Sequence, residues 1–239
     1  MDSFIRYAAA VTPACAASGN GGSGRPTVAV TDAAVRVALV VRVEAKPGKE
    51  NDVEQLFTQG VDYVNAEAGT PYWFGVKLGP RTFGIFDAFP DDEARQAHLA
   101  GKLAAILMAN AAELLAAPPS IEKVEIVAMK DTWSSGTAGR IRVGISARMI
   151  AKQGKEAELT KLLDGGLAIV QREERTPIWF LVRFDASTYR IFDAFVDEPA
   201  RDAHLGGDLA KALLANAPEL LAEPPSIEKV TVLASKLPR

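Results

Sequence analysis

From Val37 to Glu44 the chain alternates. Val37, Leu39, Val41 and Val43 make one wholly apolar side, and Ala38, Val40, Arg42 and Glu44 make the other. That period of two predicts a strand. Lys46-Pro47-Gly48-Lys49-Glu50 reads as a turn, and the period then lengthens to that of a helix running to about Ala68. Its buried stripe is Val53, Leu56, Phe57, Val61 and Val64. Thr70–Leu78 and Thr82–Phe89 predict a hairpin around Gly79-Pro80-Arg81. Asp91, Asp92 and Glu93 open a second helix, where the macrodipole favours negative charge. It is expected to run unbroken to about Ala116, with Ala94, Ala97, His98, Gly101, Ala104 and Met108 on one stripe. Pro118-Pro119 stop it, and Ile121–Val127 form a last strand.

The whole pattern then recurs. Arg36–Lys130 aligns without a gap on Arg142–Lys236, His98 falling on His204, and roughly half of the ~95 positions are identical. The helix stripe returns as Leu159, Leu162, Leu163, Leu167 and Val170. The expected fold class is therefore α+β: two tandem ferredoxin-like β-α-β-β-α-β repeats. The expected boundaries are 1–33 for a disordered leader, 36–130 for the first domain, 131–141 for a linker and 142–236 for the second domain. A four-stranded sheet with both helices on one face leaves the other face bare, so the repeats should pair face to face around a barrel-like interior. This would be an intramolecular pseudo-dimer, with further homo-oligomerisation left open. The bare faces are expected to carry Val40, Arg42, Trp73, Gly75 and Lys77, matched by Ser146, Arg148, Trp179, Leu181 and Arg183. Aromatics with a few cations are what a small-molecule pocket offers.

Composition changes this picture little. A net charge of −3, with lysine and arginine scattered among acids, gives no sign of nucleic-acid binding, and no apolar run reaches membrane-spanning length. One cysteine, Cys15, excludes an internal disulfide, and with only two histidines besides, a soft-metal site is not expected. The leader combines Ala14-Cys15 with a Gly/Ser-rich stretch. A lipoprotein-type signal is weighed there, but Pro13 interrupts the apolar run, and a flexible leader on a cytoplasmic protein is the expectation. No dinucleotide, Walker, HExxH, CxxC or GxSxG signature is present, so no cofactor is expected.

Candidate chemistry sits at the repeated positions. His98 and His204 point toward the sheet, where an imidazole could serve as general base or simply satisfy a strand carbonyl. Trp73 and Trp179 follow Thr-Pro in both copies, and an indole in the barrel would stack on a flat substrate or fill core. Phe86-Asp87-Ala88-Phe89 recurs as Phe192-Asp193-Ala194-Phe195, each aspartate expected to take local backbone or arginine bonds. Arg42 and Arg148, mid-strand among apolar neighbours, must pair with an acid or an oxygen-rich ligand. Asn110 and Asn216 read as local packing.

Phe86-Asp87-Ala88-Phe89-x-Asp91, Ala97-His98-Leu99-x-Gly101, Glu113-Leu114-Leu115-Ala116 and Pro118-Pro119-Ser120-Ile121-Glu122 together resemble the antibiotic biosynthesis monooxygenase family, which includes quinol monooxygenases. The resemblance covers both repeats. It implies a dimeric α+β barrel and oxidation of a quinol or phenolic aromatic by O₂ without flavin or metal. His98 and His204 would be the candidate bases, with Trp73, Trp179, Arg42, Arg148, Phe86 and Phe192 around a small aromatic or quinone-like substrate. The alternative is a non-catalytic small-ligand-binding or stress-associated barrel. Gly75 becomes Leu181, Gly84 becomes Arg190 and Tyr72 becomes Ile178, so the first pocket is expected to be the roomier.

Overall fold

The computed structural model describes residues 35–133 and 141–238. The leader, and most of the expected linker, lie outside the described residues. The first half runs β1 (Val37–Glu44), α1 (Glu50–Val64), β2 (Tyr72–Lys77), β3 (Thr82–Phe89), α2 (Asp92–Leu99), α3 (Lys102–Leu114) and β4 (Ser120–Asp131). The second half follows the same course with β5 (Val143–Ile150), α4 (Glu156–Asp164), α5 (Gly166–Val170), β6 (Ile178–Arg183), β7 (Thr188–Phe195), α6 (Glu198–Leu205), α7 (Asp208–Leu220) and β8 (Ser226–Lys236).

The two halves pair around a barrel interior, as expected. They join edge to edge into one closed antiparallel barrel in the order β1-β3-β2-β8-β5-β7-β6-β4. The reason lies in β4 and β8, which run past their expected end. β4 pairs with β1 of its own half through Glu125, and then with β6 of the other half through Asp131. β8 does the same with β5 and β2. Each seam carries a register shift, at Ile126/Ala128 and at the matching place on β8 opposite Gly75/Val76, where the ladder passes from own half to other half. A closed ladder leaves none of the eight described strands with an unpaired edge.

Side chains pointing inward fill the barrel rather than line a cavity. Phe86 and Phe192 stack at 4.4 Å with their planes 12° apart, and Phe74 and Phe180 close on them at 5.1 and 5.0 Å. With Val40, Val76, Val124, Val182 and Val230 they form one buried cluster. The substrate role expected of Phe86 and Phe192 therefore meets a packed interior. Outside the barrel, two further cores lie under the helices, one in each half.

The expected second helix is two helices. α2 is capped by Asp91, whose side chain accepts from the Ala94 N–H at 2.9 Å, and it stops at Ala100. α3 restarts after Gly101, and its buried stripe is Leu103, Leu107 and Leu114, leaving Met108 42% exposed. α6 and α7 repeat the break at Gly206 and Gly207. Asn110 and Asn216 each donate to the carbonyl one helical turn back, as local packing requires.

Candidate functional site

The break between α2 and α3 is what builds the site. Gly101 N donates to the His98 carbonyl at 2.8 Å, closing the turn just beyond the histidine. A Cβ on Gly101 would lie 2.7 Å from Glu67 Oε1 and 2.8 Å from the His98 oxygen, so any side chain there would push the carboxylate away. Gly207 meets Glu173 and His204 in the same manner, at 2.9 Å to each. The repeated His-Leu-x-Gly sequence is thus one device: the glycine leaves room for a glutamate to reach the histidine.

Each imidazole lies between two carboxylates. His98 Nδ1 is 2.6 Å from Glu67 Oε2, and its Nε2 forms a 3.0 Å ion pair with Asp87 Oδ2. In the second half His204 is 2.6 Å from Glu173 and 3.2 Å from Asp193. Asp87 and Asp193 are fully buried, whereas Glu67 and Glu173 keep a fifth of their side chains exposed. Burial by itself would lower the histidine pKa. The hydrogen bonds and charges of Asp87 and Glu67 more than reverse this for His98, raising it to about 10, and Asp193 and Glu173 do the same for His204. Both imidazoles are therefore cations at neutral pH, and both ring nitrogens are engaged. Burial pushes the Asp87 and Asp193 pKa values up, an effect their histidines oppose. Burial also acts upward on Glu67, but His98, Thr70 and Lys236 together outweigh it and hold that carboxyl below its usual range. Thr70 Oγ1 donates to Glu67 at 2.8 Å.

A lysine from the opposite half completes each arrangement. Lys236, at the end of β8, donates to the Val64 and Glu67 carbonyls at 2.8 and 2.6 Å, where α1 runs out. Lys130, at the end of β4, donates to the Val170 and Glu173 carbonyls at the same two distances. An ammonium there satisfies carbonyls that a helix end leaves open and complements its dipole. The barrel seam thus places Lys-Glu-His-Asp, alternating in charge, across two halves of the chain.

The expected site residues separate into two groups. Trp73 and Trp179 do not face the barrel interior. β2 is in the opposite phase from that expected: Tyr72, Phe74 and Val76 point inward, and Trp73 lies under the helices with Ile85 and Phe57. Gly75 shares that outer side, its Cβ position 2.7 Å from the Trp73 ring, and Leu181 accordingly packs under the second-half helices rather than filling a barrel pocket. Register sets Trp73 opposite Asp87 and Trp179 opposite Asp193, so each indole neighbours its histidine's aspartate. Both indole N–H groups are buried without an acceptor among the described residues. Arg42 and Arg148 stay on the barrel side, away from the histidines. Arg42 pairs with Glu228 at 2.9 Å. Asp87 and Asp193 pair with histidine rather than arginine, and the Leu39 backbone also acts on Asp87 as a hydrogen-bond donor.

Neither histidine opens into the barrel. Each borders a surface cleft between the end of its first helix and the α2/α3 or α6/α7 break. The cleft beside His98 measures about 500 Å³ and is lined by Tyr63, Glu67, Gly69, Ala97 and Lys102. The one beside His204 measures about 330 Å³, with Ile169, Arg172, Glu173, Arg175 and Asp208 in the corresponding places. Glu67 and Glu173, the carboxylates that reach these clefts, were not singled out from the sequence. Their signal was present: both stand three residues before a repeated Thr-Pro. Among the described residues no cluster of potential ligands could hold a metal ion, and no helix is long and apolar enough to cross a membrane.

No protein-family model matches the chain, and no curated protein matches it in sequence. Solved structures do. A candidate monooxygenase of Fusobacterium nucleatum superimposes with a TM-score of 0.74 at 16% identity, over 85% of this chain and 94% of that one. An anthrone oxidase-like protein superimposes with a TM-score of 0.61 at 12% identity, over 85% and 93%. A protein of unknown function from Nitrosomonas europaea is 53% identical over 42% of this chain and 97% of its own, with a TM-score of 0.41. At the low identities of the first two, the likeness shows the architecture, and the chain has the closed α+β barrel fold of monooxygenase-like proteins.

Proposed function

We propose that the chain is a cofactor-independent monooxygenase that oxidises a quinol or phenolic aromatic with O₂, working from the cleft beside His98. The observation that carries this reading is the Asp87–His98–Glu67 line, buried at one end and open at the other to a cleft that Tyr63 borders. His98 does not meet substrate directly, since both its nitrogens are taken. Glu67 is the end of the line that a phenolic hydroxyl can reach. As pH rises toward about 10 the imidazolium gives its proton to solvent, and the line then accepts the substrate proton at Glu67 and passes the charge inward, with Asp87 holding the ring in place. The resulting phenolate or quinol anion gives its electrons to O₂. For a hydroquinone the balance is one quinol plus O₂ to one hydroxyquinone plus water, all four electrons coming from the substrate, so no external reductant enters. Tyr63 offers a ring face, and Lys102, whose ammonium lies 4.8 Å from that ring's centre, offers a counter-charge for the anion. The likeness to monooxygenase-like folds supports this reading.

A second reading, a non-catalytic ligand-binding barrel, is favoured by one observation. A cationic histidine with both nitrogens engaged ties α2 to the α1–β2 loop and to β3, and could serve structure alone. Oxygen uptake with menadiol and simple hydroquinones, on protein stripped of metal and flavin, separates the two. The oxygenase reading expects uptake above a no-protein blank, water rather than hydrogen peroxide as the reduced product, and loss of at least about tenfold in Glu67→Gln. Uptake equal to the blank, or unchanged in Glu67→Gln, discards it. Ligand-dependent thermal shifts with oxidised quinones would then test the binding reading.

A further inference from the structure

The inward-facing rows of the two halves differ most at one mouth of the barrel. On β1 and β3, Arg42 stands opposite Gly84; on β5 and β7 the corresponding pair is Arg148 opposite Arg190. Like charges directly opposed across antiparallel strands repel. Arg42 is neutralised by Glu228, whose two oxygens it holds at 2.9 and 3.0 Å. Neither Arg148 nor Arg190 has a carboxylate within ion-pair distance among the described residues, although Glu122 and Glu228 lie near enough to act on Arg190 through space. Both guanidiniums lie over one ring, Phe184, at 5.2 and 5.6 Å from its centre. Arg190 also donates to Ser146 Oγ at 2.7 Å, and the Nε of each arginine is buried without an acceptor. Burial lowers the Arg190 pKa, which fits a charge held in place without its counter-ion. Ser146, Phe184 and Arg190 replace Val40, Leu78 and Gly84 of the first half, so three changes converge on one place.

We propose that the Arg148–Arg190 pair is a binding site for a single small oxyanion, a carboxylate or phosphate group, held at the barrel mouth over Phe184. A guanidinium's forked N–H donors match such a group, and an anion shared by two guanidiniums held over one ring removes the repulsion that the bare pair carries. Glu122 and Glu228 at the rim limit the charge the site accepts. They disfavour a polyanion and favour one oxyanion group. The site lies inside the barrel mouth, away from the histidine clefts, and stands independently of the oxygenase reading.

The test is titration of the full chain with inorganic phosphate, with acetate and with chloride at matched ionic strength, followed by melting temperature and calorimetry. Saturable one-to-one binding of phosphate or acetate, absent with chloride, is expected. The arm that responds identifies the source, and a response from both identifies the shared oxyanion chemistry. Arg190→Gly, which restores the first-half residue, should abolish the response, and Arg190→Lys should weaken it about tenfold by removing the planar fork. Arg42→Gln should retain it. Equal responses to all three anions, or a wild-type response in Arg190→Gly, overturns the proposal. Should Arg190→Gly fail to fold, the arginine Nε–H resonances of the wild-type chain decide. Those of Arg148 and Arg190 must move on anion addition while that of Arg42 stays, and no such movement also overturns the proposal.

Discussion

The two halves of the barrel share their wiring and differ in their linings. Glu67, His98, Asp87 and Gly101 have the same partners at nearly the same distances as Glu173, His204, Asp193 and Gly207, and each half is closed by the other's lysine. The clefts those groups open onto have diverged. Ala66 and Gly69 correspond to Arg172 and Arg175, Tyr63 to Ile169, and Lys102 to Asp208. Arg175 is drawn to Asp197 at 3.0 Å. The first cleft is the larger, at about 500 Å³ against 330 Å³, but it is not the barrel pocket that Leu181 and Arg190 were expected to fill, and neither residue lines either cleft. The contrast teaches that buried, mutually dependent charges resist change, whereas cleft walls that touch only solvent are free to alter what each half can hold.

The largest expected effect tests the shared wiring. His98→Ala leaves Asp87 fully buried without its cation, and removing one member of a buried ion pair costs about 3–5 kcal/mol. His204→Ala should cost about the same. Urea unfolding that shows less than about 1 kcal/mol for either would mean that the ion pairs are marginal and the halves are held alike by packing alone. Gly101→Ala comes next. It should displace Glu67 and cost about 1–3 kcal/mol, with the equivalent change at Gly207 slightly milder because its close contacts are longer.

The lysines sharpen the comparison across halves. Lys236→Met should destabilise by about 1–3 kcal/mol through two stranded carbonyls, and it should move the NMR signal of His98, in the other half, while leaving that of His204. Lys130→Met should do the reverse. A shift of both signals, or of the same-half histidine, would remove the crossed arrangement. The pH dependence follows from the raised histidine values. A group whose folded pKa exceeds its unfolded value contributes stability that is complete below the unfolded pKa and lost as pH rises. The histidine contribution should therefore be intact below about 6.5 and fade as pH climbs through about 10. The two imidazole signals should still report cations at pH 8, and the proposed oxygenase activity, which needs the imidazolium deprotonated, should climb as pH rises toward about 10. Titration of either signal near 6.5 would contradict the geometry. The smallest effect concerns the lining. Gly69→Arg, copying the second half, should alter stability by less than about 1 kcal/mol yet weaken substrate binding at the first cleft, visible as a raised KM with little change in kcat.

The alternation of β1 and the hairpin around Gly79-Pro80-Arg81 were legible because each strand has a turn to bound it, and β1 has a polar side to phase it. β2 has no such phase. From Tyr72 to Val76 every residue is buried on one face or the other, and an all-apolar strand between two cores does not declare which side is in, so Trp73 was assigned to the wrong one. The aspartate's partner could not be read because His98 follows it by eleven residues on another element and meets it only through tertiary packing. Lys130 and Lys236 stood beyond the expected strand ends. Without the extra residues of β4 and β8 the barrel could be inferred, but neither its seams nor the crossed lysines could.

The seam between β2 and β8 has a consequence for how the chain comes to exist. β8 is the last described strand to be synthesised, and it is the one that covers the outer edge of β2. Throughout translation of the second half, the first half waits with that edge bare and with the carbonyls at the end of α1 uncovered. Closing the ring joins Trp73 to Lys236, so the contact that finishes the barrel spans most of the described chain, a long loop to close. Folding is therefore gated by the final strand. The interval before it arrives is when a nascent chain of this kind is most exposed to pairing with a neighbour.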